Sequence, residues 1–379
     1  MSDAATVLER CAALGEVSEE DGLLVRRYGT EALRRANALV SGWMRAAGME
    51  VREDAVGNLI GRLGDSDRSV MLGSHLDTVR DAGRYDGPLG VLVALAAVER
   101  MREPLPFAVE VIGFADEEGV RFGTAYLGSA AVAGRFDPRW LQVRDADGVA
   151  LADLLRGEPA TAARVPADLL GYVEVHIEQG PVLEQLGEPV GVVTAIAGQT
   201  HADVCFVGEA GHAGTVPMEG RRDALAAAAE WVLAVERAGV LATVGRLDVD
   251  PGARNVIPAR AALTLDVRDP DDAVRQAAVT VLHTQAGEIA ARRGLDLEWA
   301  DTADIPAVAM DERLTSALDV PVRLPSGAGH DAAMMASITP AAMLFVRCRG
   351  GISHNPAESV DEADVAVAID VLERFLHAV

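Results

Sequence analysis

VEVIGFADEEGVRFG, residues 109–123, is the stretch that decides the fold. Its opening run, 109–115, is mostly apolar and predicts a buried parallel strand. Three acids follow, Asp116, Glu117 and Glu118, and then Gly119. Burying even one unpaired carboxylate is costly, so three at a strand end demand cations, protons or water. Two readings are open here. Acid runs are commonly solvated loops, but they also build metal sites at the carboxyl edge of an open sheet, where α/β folds collect ligands.

Working outward, two further strands end in functional-looking clusters. Residues 69–79, SVMLGSHLDTV, run into His75 and Asp77. Two apart on a strand, they share a face, so Asp77 is expected to accept from the far ring nitrogen of His75 and fix its tautomer. A lone HxD is more often a satisfied core histidine. Residues 172–184, YVEVHIEQGPVLE, repeat the pattern with His176 and Glu178. Asp86 sits in RYDGPLGV, before Gly87 and Pro88, which mark a turn into an apolar helix over 89–100; its plain reading is a turn or capping acid. The tail carries SGAGHDAAMM with His330 and GISHNPAE with His354.

The intervening segment changes character. Between 199 and 304 the pattern is strand (201–209), helix (222–237), two strands (242–248, 261–268), helix (272–293) and strand (295–300). A β-α-β-β-α-β order predicts an α+β, ferredoxin-like module inserted into an α/β domain. Upstream, helices are expected over 4–14 and 29–47, then strands over 49–54 and 58–63 about a turn at Gly57. Residues 124–134 carry a possible helix, and 151–156 are helix-prone.

Composition narrows the function classes. At 379 residues the chain is long for one core, so two domains are expected. A formal net charge of −24 argues against nucleic acid or an anionic membrane surface as a partner. The 34 positive side chains are all Arg. Three distant cysteines without metal-type spacing read as reduced, and no apolar run reaches membrane-spanning length. With no leader-like opening, a cytoplasmic protein is expected.

Collected, the strand-end candidates are His75, Asp86, Glu117, Glu118, His176 and His354. A two-metal hydrolase needs a bridging carboxylate, further nitrogen or oxygen ligands and a carboxylate left to take a proton. This inventory supplies all three, and imidazole with carboxylate suits zinc or manganese.

GSHLDTV, YDGPLGV, DEEGVRFG, HIEQGPVLE, GHAGTVPM, SGAGHDA and GISHNPAE, in that order, resemble the M20 metallopeptidase-like family. The resemblance is strongest to its amidase (hydantoinase/carbamoylase) branch of N-carbamoyl-L-amino acid hydrolases, β-ureidopropionases and allantoate amidohydrolases. It runs from about Asn58 to the C-terminus, and AIAGQT and MLFVRCRGGISHNPAE are most similar to the allantoate-type members. It implies a central mixed sheet flanked by helices, a di-metal exopeptidase-like domain (1–197 and 305–379), with a lid and dimerisation domain (198–304) hinged near 195–198 and 303–306.

It further implies two divalent ions, Zn2+ or Mn2+. Asp86 would bridge them, with His75 and His176 on one and Glu118 and His354 on the other. Glu117 would be the general base and Asp77 the orienter of His75. From the lid, His212 would stabilise the oxyanion, and Asn255 and Arg268 would bind the substrate carboxylate. Gln199 would hydrogen-bond the ureide, and His330 would line the pocket. Read without the resemblance, His212 is a turn histidine and Arg268 a salt-bridge partner of Asp266 or Asp269. The implied substrate is a small anionic ureide and the implied assembly a homodimer. An N-carbamoyl-L-amino acid hydrolase, an aminopeptidase or acyl-amino-acid hydrolase, and a non-catalytic metal-dependent binding protein are the alternatives.

Overall fold

The computed structural model describes residues 3–379, so Met1 and Ser2, which open the expected catalytic segment, lie outside the described residues. The chain divides into two compact units, Met1–Thr194 with Met310–Val379, and Ala195–Ala309.

The first unit opens with helices α1 (Asp3–Gly15) and α2 (Glu31–Ala46). Thr30 caps α2 by accepting from Leu33 N, which is why that helix starts two residues later than the spacing predicts. Strands β1 (Glu50–Glu53), β2 (Leu59–Leu63) and β3 (Ser69–His75) follow, with Gly57 at φ +93° in the first turn. Next come α3 (Pro88–Arg100), β4 (Ala108–Phe114), α4 (Leu127–Val132), β5 (Leu169–Ile177), α5 (Val182–Leu186) and β6 (Val190–Ile196). Helix α4 is shorter than the pattern suggests, and the helix-prone stretch near residue 151 is a 3-10 turn, Leu151–Leu154.

The second unit contains β7 (Gly198–Val207), β8 (Gly211–His212), α6 (Ala224–Glu236), β9 (Leu241–Asp250), β10 (Val256–Ile257), β11 (Arg260–Asp269), α7 (Asp272–Arg293), β12 (Asp296–Ile305) and β13 (Val308–Ala309). The chain then returns through α8 (Glu312–Ala317), β14 (Arg323–Ser326), α9 (Asp331–Met335), β15 (Ala341–Val346) and α10 (Glu362–Ala378).

The first unit's sheet runs β1-β2-β4-β3-β5-β15-β6, with β14 also on β6. Strands β4, β3, β5 and β15 are mutually parallel, and the flanking pairs are antiparallel. The expected mixed α/β sheet is therefore present. The three strands β3, β4 and β15 are buried along their whole length, as expected of mostly apolar runs covered on both faces. Helix α3 packs on β3 and β5 and is itself covered by α1 and α10, so its residues from Pro88 to Val98 are all buried. Close approach explains Gly90: a Cβ there would fall 1.9 Å from Val175 O.

In the second unit the sheet order is β12-β7-β11-β9, all antiparallel, with α6 and α7 on one face. This is the split-βαβ order the pattern predicts, with the short β8–β10 pair added. Alternation sets the inner face: Ala202, Val204 and Phe206 of β7 and Ala261, Leu263, Leu265 and Val267 of β11 pack around Trp231. Arg275 of α7, 1% exposed, clasps both ends of the module. It donates to Thr200 near the start of β7 and to Asp304 near the end of β12.

Candidate metal centre

Parallel pairing brings the carboxyl ends of β3, β4 and β5 to one edge of the first sheet, and the sequence hangs its donors there. His75 is the last residue of β3, His176 the penultimate residue of β5, and Asp116–Glu118 closely follow β4. Asn58 fixes the exit of β4, its side-chain oxygen accepting from Ala115 N at 2.9 Å. Asp86 stands one residue before Gly87, which is at φ +79° and where a Cβ would sit 2.5 Å from the His75 ring. Only glycine allows that approach. His354 reaches the same place from the loop after β15, itself at φ +53°.

Three imidazoles converge on one carboxylate. Asp86 Oδ1 lies 3.1 Å from His176 Nε2 and 3.8 Å from His75 Nε2, and Asp86 Oδ2 lies 3.1 Å from His354 Nε2. His354 Nε2 is also 3.5 Å from Glu118 Oε1. Two donor triads therefore share Asp86: His75–Asp86–His176 and Asp86–Glu118–His354, each with ligand atoms within 4.8 Å of one another. Glu117 forms a third group with His75 and Glu118.

The tautomers test whether these donors fit a cation. His75 Nδ1 lies 3.1 Å from the Asp77 carbonyl, and His176 Nδ1 lies 2.9 Å from the Ile177 carbonyl. A carbonyl only accepts, so each Nδ1 carries a proton and each ring turns its Nε2 toward Asp86. A lone pair facing a carboxylate is repulsive unless a proton or a metal ion lies between them. The electrostatics agree. Burial would raise the Asp86 carboxyl, but His176, His354 and His75 outweigh it and hold it well below its ordinary value. Burial would lower His75 and His176, yet their carboxylate neighbours hold both above the ordinary imidazole value. The site is built to hold positive charge, and its donors fit divalent metal ions.

Glu117 is 8% exposed. Burial drives its carboxyl well above the ordinary value, the His75 charge opposes this, and Asp331, Glu118 and Asp77 add to it. Burial likewise raises Glu118, to about 7. Strand β3 ends at His75, so the two-residue alternation stops, and the nearest partner of His75 Nδ1 is the Asp77 main-chain carbonyl, with the carboxylate at 3.5 Å. The Asp77 carboxylate also accepts from Glu117 N and Glu118 N, both at 3.1 Å, and so fixes the loop that carries the acids. Glu178, two residues beyond His176, accepts from Val182 N and Leu183 N at the start of α5 and is structural.

His330 is 2% exposed, packs edge-on to His176 at 4.5 Å and is bonded through Nε2 to Ser326 Oγ at 2.8 Å. Although Glu174, His176 and His330 lie close enough for a triad, their donors are committed elsewhere. Glu174 accepts from Ser74 and from Ala332 N, and the free nitrogen of His176 faces Asp86. Beside them Asp331 is buried, and neither of its carboxylate oxygens makes a hydrogen bond of normal geometry. Burial and the Glu174 charge push it well above its ordinary value and favour the neutral acid.

In the second unit two of the four candidates are cross-strand partners and the other two lie on neighbouring short strands and their loop. Gln199 and Arg268 face each other across β7 and β11, on the sheet face away from α6 and α7. His212 pairs with Val256 across β8 and β10, and Ala213 N donates to the Asn255 carbonyl at 2.9 Å. Arg268 pairs with Asp266 at 2.7 Å, the contact read for it without the resemblance. All four positions fall within the second unit.

A match to Peptidase family M20/M25/M40 spans residues 71–378, most of the chain and every donor of the centre. The chain belongs to that family. Among curated relatives it is 41% identical to a "Probable allantoate deiminase" of Oryza sativa subsp. japonica, over 98% of this chain and 87% of the relative. It is also 41% identical to an "N-carbamoyl-L-amino acid amidohydrolase" of Geobacillus stearothermophilus, over 96% and 95%. A solved amidase of the hydantoinase/carbamoylase family from Burkholderia multivorans superposes with a TM-score of 0.91 at 33% identity, covering 98% and 97% of the two chains. This M20 chain thus has relatives that act on carbon–nitrogen bonds other than peptide bonds.

Three residues that matter here were not singled out in the sequence: Gln179, Ser353 and Glu358. Each lies inside one of two motifs, HIEQG or GISHNPAE, and each has a polar side chain within five residues of a donor histidine. That spacing was the available signal.

Proposed function

We propose that this chain hydrolyses the linear ureido group of allantoate to ureidoglycine, ammonia and carbon dioxide, using two divalent ions, zinc or manganese. The observation that carries the chemistry is Glu117, a buried carboxylate beside two triads that share Asp86. The observation that carries the substrate class is the near-full-length similarity to allantoate deiminases.

In this reading His75, Asp86 and His176 would hold one ion, and Asp86, Glu118 and His354 would hold the other. Bound there, the ions would polarise the ureide carbonyl and acidify the attacking water. Glu117 would take a proton from the attacking water and return it to the departing nitrogen, a two-way task suited to a carboxyl whose burial raises its basicity. Asp77 holds the Glu117 loop in place through its two main-chain bonds. The carbamate released breaks down to ammonia and carbon dioxide.

The second unit supplies recognition in the same proposal. Arg268 and Asn255 take the substrate carboxylate, Arg268 through its planar fork, which answers how a chain of charge −24 holds an anion. His212 stabilises the oxyanion, Gln199 hydrogen-bonds the ureide, and His330 shapes the wall beside His176. Dimerisation through this unit and a cytoplasmic location complete the proposal, the latter supported by three cysteines that remain unpaired. No helix among the described residues is long and apolar enough to cross a membrane.

The Geobacillus relative, at the same identity, favours a second reading, an N-carbamoyl-L-amino acid hydrolase with the same machinery. Ammonia release by zinc- or manganese-loaded protein decides between them, with allantoate, ureidoglycolate, N-carbamoyl-β-alanine and N-carbamoyl-L-amino acids offered in parallel. Preference for allantoate supports the first reading, and preference for carbamoyl amino acids replaces it with the second. Silence on all of them with metal bound rejects both.

A further inference from the structure

We propose that Gln179 and Ser353 are positioning residues that lock the Asp86 carboxylate between the two triads. The lock chiefly serves the Glu118–His354 triad. This rests on the two-cation reading above and adds the device that keeps the shared ligand aligned.

An aspartate carboxyl turns easily about its last torsion, which has broad, roughly two-fold preferences. A bridging aspartate cannot be allowed to do so, since each oxygen must face its own triad. Both restraining donors fall on one oxygen. Gln179 Nε2 lies 3.1 Å from Asp86 Oδ2 and 3.0 Å from Ser353 Oγ, and the Ser353 hydroxyl lies 3.0 Å from the same Oδ2. The main chain is held as well. Buried Glu358 accepts from Asp86 N at 3.1 Å and from Tyr85 N at 2.7 Å.

Backbone conformation gives a second, independent sign. Gln179 is at φ +57°, a left-handed conformation that side-chain-bearing residues rarely adopt. Strain of this kind persists where the surroundings over-determine it, and it clusters at functional sites. Keeping glutamine where glycine would be relaxed makes sense if the side-chain amide is needed.

The two triads depend on this lock unequally. His75 and His176 are 2% exposed, and their Nδ1–carbonyl contacts fix both rings without help from Asp86. His354 is 49% exposed, so its ion relies more on the oxygen that Gln179 and Ser353 restrain.

The test is manganese binding to the metal-free full chain, following free Mn2+ by electron paramagnetic resonance, for wild type, Gln179→Gly, Ser353→Ala and Ser353→Thr. The glycine variant removes the amide and relaxes the backbone, so its metal-free Tm stays at or near wild type. The wild type should bind two ions stepwise. In Gln179→Gly and Ser353→Ala the second step should weaken by about 10–100-fold, the usual effect of losing a partner behind a metal ligand, with the first changing little. Ser353→Thr, which keeps the hydroxyl, should restore the second step. Unchanged second-step affinity in both variants, or equal weakening of both steps, overturns the lock and leaves the two-cation reading standing. A wild type that binds one ion overturns both.

Discussion

His75 and His176 end fully or almost fully buried strands, their rings aimed by main-chain carbonyls at a shared carboxylate. Arg268 and His212 of the second unit lie at partly or fully exposed positions, Arg268 paired with Asp266 and His212 accepting from Gly214 N. The first set is balanced only while a proton or another cation lies between its ring nitrogens and the carboxylate. The second is satisfied by its own neighbours, and in the proposed reading would exchange them for a substrate. Chemistry needs the former kind of site, because buried charges interact strongly and move little. Recognition can use the latter, because an exposed ion pair is worth only about 0–1 kcal/mol and is cheaply replaced by a better partner.

If that contrast is right, changes in the first set should abolish function outright. Asp86→Ala removes the one ligand common to both triads. Metal content by elemental analysis should fall by both ions, and turnover should drop to background. Retention of one ion with measurable turnover would mean that the triads stand independently.

In the proposed reading, Glu117→Gln would separate metal holding from proton transfer. The variant should keep its ions, while turnover falls by about 10²–10⁴-fold, the range general acid–base groups supply. Near-normal turnover with full metal would remove Glu117 from the base role.

Arg268→Ala should leave metal content untouched and lower kcat/KM by about 10–100-fold, as expected for losing a charge-assisted hydrogen bond worth about 1.5–3 kcal/mol. The loss should shrink when the substrate carboxylate is replaced by its amide. An equal loss on both substrates would place Arg268 in the fold rather than in recognition.

These expectations depend on residues that differ in how legible they were. The centre was readable because one apolar strand ending in His or acid is ordinary, whereas several in one chain fit little besides a ligand site. Parallel pairing then brings their ends to one edge. The second unit's order was readable from the alternation of β7 and β11 and the long helical pattern of α7. What failed was local. Strand alternation stops at His75, where the chain turns, and it gave no sign that the Asp77 carboxylate, 3.5 Å from His75 Nδ1, would also accept from Glu117 N and Glu118 N. Helix α4 stops short of the expected span, its start set by Tyr126 at φ +64°. Gln179, Ser353 and Glu358 were passed over because their importance comes from contacts with Asp86 and its neighbour, some 90 to 270 positions away in the chain. Periodicity carries no information about such pairings.

The smallest expected effect is on stability, and its sign is diagnostic. Burial raises both Glu118 and Glu358 from an ordinary 4.5 to about 7, so without metal the folded chain holds more protons than the unfolded chain between those values. Stability from these groups is therefore fully present below about pH 4.5 and is lost as pH rises through about 7. With metal the sign reverses, because Glu118 must shed its proton to act as a ligand and rising pH then favours the bound, folded form. Chelated protein should accordingly show a Tm that falls between pH 5 and 8, and metal-loaded protein one that holds or climbs. A chelated Tm that climbs across that window would mean these carboxyls are ionised and paired in the fold. The first set would then be as self-satisfied as the second, and the contrast between the two regions would fail.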